Sequence, residues 1–191
     1  MKTLQEHIYE NIFYKSEIYE NIFHKSEINE KLVINKKYEK PKSIFTYQVK
    51  TKSFASIAIF SQYWPQAKEY LDKVYIDDEQ VELELSDARN AYKTIKKYKA
   101  GIYNVEIKDI DNVTTCKSMF SNCGQLKTVP VFDTSKVTYM INMFRSCTRL
   151  VNVPALDVSN VKHFNGMFDF CDSLNETTKR IWRELRQNRK K

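Results

Sequence analysis

VTTCKSMFSNCGQLKTVPVFDTSK at residues 113–136 runs straight into VTYMINMFRSCTRLVNVPALDVSN at 137–160 and then into the shorter VKHFNGMFDFCDSL at 161–174. Aligned at a step of 24, the first two stretches are identical at 10 of 24 positions, where chance would give one or two. Val113, Val137 and Val161 share the step. So do the pairs Met119-Phe120, Met143-Phe144 and Met167-Phe168, the cysteines Cys123, Cys147 and Cys171, and the leucines Leu126, Leu150 and Leu174. One such copy cannot bury its apolar side chains alone. Stacked copies can, by placing Phe on Phe and Leu on Leu.

A period between about 20 and 29 with fixed apolar positions is the signature of leucine-rich repeats. The period therefore predicts an α+β protein built on a short leucine-rich-repeat-like solenoid of under three coils over 111–174. Short parallel strands are expected at Leu126–Val129 and Leu150–Val153. Helical or 3₁₀ returns are expected at Val137–Phe144 and Val161–Phe168, because Val137, Met140 and Phe144 fall at helical spacing. FDTSKVTYMINMFRSCTRLVNVP (132–154), led in by KAGIYNVEIKDIDNVTTCKSMFSNC (99–123), resembles the BspA-type leucine-rich repeat, also called DUF285 or the mycoplasma-lipoprotein repeat. The likeness covers about residues 99–174. It implies a solenoid used for protein–protein contact, often on secreted or surface proteins.

Around the repeats three further segments are expected. HIYENIFYKS at 7–16 and EIYENIFHKS at 17–26 are a tandem duplication, with a partial third copy at 27–32. A ten-residue step falls about 80° short of three helical turns, yet the apolar residues still gather on one side of an amphipathic helix over 4–33. That helix reads either as a partner-binding or self-associating element, or as a packing helix lengthened by replication slippage. A Lys-rich linker ending near Pro41 and Lys42 completes a segment spanning 1–42. Residues 43–110 read as a small mixed α+β unit. Strands are expected around Ile44–Val49 and Phe54–Ile59, a helical turn or two at Gln66–Leu71, and a hairpin from Val74–Ile76 through Asp77-Asp78 to Val81, Leu83 and Leu85. A helix capped by Ser86 should then run to Tyr98, and a strand should follow through Ile102, Val105 and Ile107. Residues 175–191 form a basic capping helix and tail, with Asn175 as N-cap and Ile181, Trp182 and Leu185 as the plug.

The chain has 191 residues and a net charge of +7. A basic balance favours acidic partners: nucleic acid, an anionic surface or an acidic protein face. No apolar run reaches the ~18–20 residues of a membrane span. The first residues lack the apolar core of a secretory signal, so a cytoplasmic protein is expected, or a cell-surface adhesin if a leader has been removed.

Catalytic, cofactor and metal chemistry finds no foothold. The cysteines form no CxxC pair and read as a ladder of small buried thiols. His7, His24 and His163 do not cluster, and only three glycines leave little room for a phosphate-cradling loop. Asp133 and Asp157 are periodic and should hold turns together with Ser135 and Ser159.

The expected function is a non-enzymatic protein-binding module that occludes or tethers a larger partner through the solenoid face. One version is a phage- or mobile-element-encoded inhibitor of a bacterial defence nuclease, an anti-CRISPR-like role. The positions flanking the strands that vary between copies are the candidate contacts: Gln125, Lys127, Thr128, Arg149, Val151 and Asn152. Arg180, Arg183 and Arg186 on the capping helix add a basic face. The alternative is a nucleic-acid-associated protein whose basic tail follows phosphates.

Overall fold

A computed structural model describes residues 42–86, 88 and 90–188, and of Leu185, Arg186 and Asn188 the backbone alone. Contacts divide the chain into Met1–Pro41 and Lys42–Lys191, and the described residues belong to the second unit. The amphipathic helix expected over 4–33 lies outside them.

Eight strands form among the described residues: β1 (Ile44–Val49), β2 (Ala58–Ser61), β3 (Val74–Ile76), β4 (Glu79–Gln80), β5 (Leu83–Ser86), β6 (Ala91–Thr94), β7 (Gly101–Ile107) and β8 (Leu126–Thr128). One sheet has the order β4-β3-β7-β1-β8 and the other the order β2-β6-β5. Every strand pairing is antiparallel. The single α-helix among the described residues is α1 (Glu176–Asn188).

Strand β1 shows why the sheets form. IFTYQV alternates, so Phe45, Tyr47 and Val49 are buried while Ile44, Thr46 and Gln48 stay half-exposed. Asp77 and Asp78 turn the β3–β4 hairpin at φ 51° and 66°, the left-handed pair of a type I′ turn. That hairpin is shorter than expected. Its second strand is only Glu79–Gln80, and Leu83–Ser86 crosses to the other sheet.

The expected helix from Ser86 to Tyr98 is instead the β5–β6 hairpin, with Ser86 opposite Ala91. Asn90, at φ 51°, closes the turn. The β-branched and aromatic residues that follow, Tyr92, Thr94 and Ile95, suit a pleated strand better than a helix. Thr94 is fully buried there, its hydroxyl accepting the Ile57 N–H and donating to the Lys96 carbonyl.

The solenoid is also corrected. The described residues are mostly β, in two antiparallel sheets with one C-terminal helix, and the repeat supplies a single three-residue strand, β8, which pairs antiparallel with β1. The expected strand Leu150–Val153 amounts to one parallel bridge, Thr128 to Asn152. Both expected returns are strings of turns. Ser118, Asn142 and Gly166 all have φ between 54° and 66°, as do Asn122, Ser146 and Phe170 between 60° and 65°. Two left-handed residues per copy break any helical run.

The copies still lie one on the next. Cys116, Ser118, Phe120 and Asn122 donate their backbone N–H groups to the carbonyls of Tyr139, Ile141, Met143 and Arg145 at 2.8–2.9 Å. Met140, Asn142, Phe144 and Ser146 repeat the pattern to His163, Asn165, Met167 and Asp169 at 2.8–3.0 Å. Asp133 and Asp157 accept the N–H groups of Ser135 and Ser159 at 2.9 and 2.8 Å, the turn-holding role their periodicity implied.

Stacked copies align their aromatic rings. Phe120 lies 5.7 Å from Phe144 with planes 2° apart, and Phe144 lies 5.6 Å from Phe168 at 9°. Phe60 joins the column below Phe120 and Trp64 below Phe60. Trp182 of α1 meets Phe168 edge-on at the other end. Burying a phenylalanine stabilises by about 1.5–3 kcal/mol, so this column anchors the core that the sheets and the repeat copies share.

Candidate functional site

The strand-flanking positions divide on folding. Lys127, Thr128, Val151 and Asn152 come together: the Val151 N–H donates to the Lys127 carbonyl at 2.9 Å, and Thr128 bridges to Asn152. Val151 and Asn152 are exposed and Lys127 half-buried. The Thr128 hydroxyl is engaged with that of Thr46 at 2.7 Å, and Asn152 Oδ1 accepts the Thr178 hydroxyl at 3.0 Å. Arg149 spends one guanidinium N–H on the Gln48 carbonyl at 2.7 Å.

Gln125 departs from its expected place on a contact face. It is 7% exposed, and its amide donates to the Ser56 carbonyl and accepts the Ala58 N–H, both at 3.0 Å. It ties the first copy to β2 because an uncovered stretch of backbone there needs both a donor and an acceptor.

A second surface lies where the last copy meets α1. Asn175 caps this helix by accepting the Thr178 N–H at 2.8 Å, as its sequence position predicted. Trp182 is buried against Phe168. The cover is partial. Phe120 and Phe144 are fully buried, whereas Phe168 is only partly so.

What remains open is a groove of about 760 Å³. Phe164, Phe168, Leu174 and Trp182 give it an apolar floor, and Lys162, Lys179 and Arg183 a cationic rim with no carboxylate in its lining. Lys179 pairs at 2.8 Å with Glu176, just outside, and that hydrogen bond holds the Glu176 carboxyl below its ordinary pKa. The Trp182 indole N–H is buried without a hydrogen-bond partner among the described residues.

Arg183 is therefore brought to the groove, while Arg180 is exposed elsewhere on α1 and the Arg186 side chain lies outside the description. Lys162 and Lys179 are the rim cations that the sequence reading missed. The signal was there: the third copy has no successor, so its outer side had to meet something other than another copy.

The thiols form the expected ladder. Cys147 and Cys171 donate to the carbonyls of Phe120 and Phe144, each at 3.0 Å, and Cys123 to that of Ile59 at 3.3 Å. Burial pushes the Cys171 thiol up to about 11 and the Cys116 thiol to about 12, and raises those of Cys123 and Cys147 as well. A thiol so placed is protonated at neutral pH and a poor nucleophile. No group of His, Cys, Asp and Glu suited to a metal ion occurs among the described residues.

The family model for the Mycoplasma protein of unknown function, DUF285, matches residues 86–188, more than half of the chain. The chain belongs to this family. The DUF285 match starts at the end of β5 and takes in β6, β7, all three copies and α1. It therefore extends the resemblance read from the repeats in both directions. No curated protein and no solved structure matches the chain. No helix among the described residues is long and apolar enough to cross a membrane.

Proposed function

We propose that this DUF285 chain is a non-enzymatic protein-binding module whose contact surface is the groove between the last repeat copy and α1. The observation that carries this reading is the pairing of an aromatic floor, Phe164, Phe168 and Trp182, with three rim cations and no lining carboxylate. Apolar anchors inside a charged rim are the anatomy of protein interfaces. Buried thiols and turn-holding aspartates leave the repeat's own periodic residues no evident chemistry beyond packing. Exposed Val151 and Asn152, beside half-buried Lys127, make a second face that a larger partner would also cover. No described residue points to a defence nuclease as that partner.

The test is co-purification from source cells after nuclease treatment, comparing the native chain with the double variant Lys162→Glu/Arg183→Glu. A protein retained by the native chain and lost by the variant supports the reading. Retention that disappears with nuclease overturns it in favour of nucleic-acid binding. Equal retention by both chains moves the contact surface away from the groove.

A further inference from the structure

The backbone ladder between copies stops at the third. Ser118, Phe120 and Asn122 donate to the second copy, and Asn142, Phe144 and Ser146 donate to the third at the same 24-residue step. The next donors in the series are Gly166, Phe168 and Phe170, and no described residue accepts their N–H groups. They sit at every second residue, the spacing at which an extended chain presents its carbonyls along one edge. The row lies beside the groove, whose lining includes Phe164, Asn165 and Phe168.

The outermost position carries a further mark. The left-handed site holds Asn122 in the first copy and Ser146 in the second, but Phe170 in the third, at φ 60° and 61% exposed. A bulky residue is costly in that conformation, and strain of this kind gathers at binding sites.

What could complete the ladder? Another copy of this chain stacked head to tail would meet a first repeat already partly covered by β2 and Trp64. The Met119 carbonyl already accepts the Ser61 N–H at 3.0 Å, and the Thr115 carbonyl accepts the Trp64 indole N–H at 2.8 Å. Lys162 and Arg183 then select by charge, Lys179 being already paired with Glu176.

We infer that the open end binds an extended acidic segment of another protein. Its carbonyls accept the N–H groups of Gly166, Phe168 and Phe170, its carboxylates meet Lys162 and Arg183, and one bulky apolar side chain rests on Phe168 and Trp182. This is strand addition to an exposed backbone edge, and it rests on the protein-binding reading above.

The experiment uses the full chain and a fluorescent nine-residue peptide of glutamates and aspartates around one leucine. Its lysine-for-acid counterpart and a nine-nucleotide RNA serve as competing probes. Binding of the acidic peptide should be at least tenfold tighter than that of the basic one, and at least tenfold weaker for Lys162→Glu/Arg183→Glu at an unchanged melting temperature. Amide hydrogen exchange at 166, 168 and 170 should slow at least tenfold in the complex, while exchange at 118, 120 and 122 stays as it was. Peptide binding that instead slows exchange at Lys127–Asn152 overturns this inference but leaves a protein-binding module. Equal binding of acidic and basic peptides, or no peptide binding at millimolar concentration, also overturns it. RNA binding that excludes the peptide overturns both readings.

Discussion

Two tryptophans close the two ends of the same repeat stack, and they do so differently. Trp64 lies under the first copy, tilted against Phe60 at 5.0 Å, with its indole N–H given to the Thr115 carbonyl. Trp182 lies over the third copy against Phe168 at 5.5 Å, with its N–H given to nothing among the described residues. The first end is also sealed by backbone, through Ser61 to Met119, and by the Gln125 amide. The last end is sealed by side chains alone, and a groove is left. A repeat covered by a sheet gives up its edge, whereas a repeat covered by a helix keeps it, because a helix has already spent its backbone groups internally.

The largest test of this contrast is in the column. Phe144→Ala, between two parallel rings, should lose about 3–5 kcal/mol. Phe168→Ala, at the partly open end, should lose clearly less. Urea denaturation of both variants checks this, and equal losses would erase the distinction between the ends.

The thiols sharpen it through pH. Burial raises Cys171 to about 11 and Cys116 to about 12 from an ordinary 9.0. The folded state thus favours the neutral thiols. Their contribution to stability is whole below pH 9 and is lost as pH climbs from 9 towards 11 and 12. Alkylation followed by mass spectrometry between pH 8 and 9.5 should label Cys171 before Cys116, whose thiol is the more deeply buried and the more strongly raised.

A smaller effect separates the caps themselves. Trp64→Phe leaves the Thr115 carbonyl without its donor and should cost about 1–3 kcal/mol. Trp182→Phe removes an N–H that has no partner among the described residues and should be close to neutral. Thermal melts of the pair read the difference directly. The smallest expected change is Phe170→Gly, which relieves a left-handed phenylalanine and should stabilise by up to about 1 kcal/mol. It also removes the Arg145 contact with the Phe170 ring, 5.4 Å away. A melting temperature that falls would show that contact to outweigh the strain.

Much of the local structure was legible in particular residues. The β-branched and aromatic residues of Ile44–Val49 marked β1, the Asp77-Asp78 pair marked the turn after β3, and Asn175 marked the start of α1. The helix expected from a Ser86 cap does not form, because Asn90 turns the chain and the β-branched and aromatic residues after it pair as a strand. The returns over Val137–Phe144 and Val161–Phe168 failed for a related reason. Apolar spacing reports which side chains face inward, not the φ of the residues between them. Of the contact positions, Gln125 was misplaced because β2 arrives beside it from 67 residues away.

The 24-residue period by itself determined that Met, Phe, Cys and Leu would stack in register, since only stacking buries them. It also placed the thiols on a buried ladder and the aspartates in the turns. Membership of the DUF285 family follows from the same residues. Which backbone edge is left open was decided only in three dimensions. The copies are alike in sequence, and what distinguishes the first from the last is the element that happens to lie against it. That element comes from outside the repeat, β2 on one side and α1 on the other, so no reading of the period could place the groove.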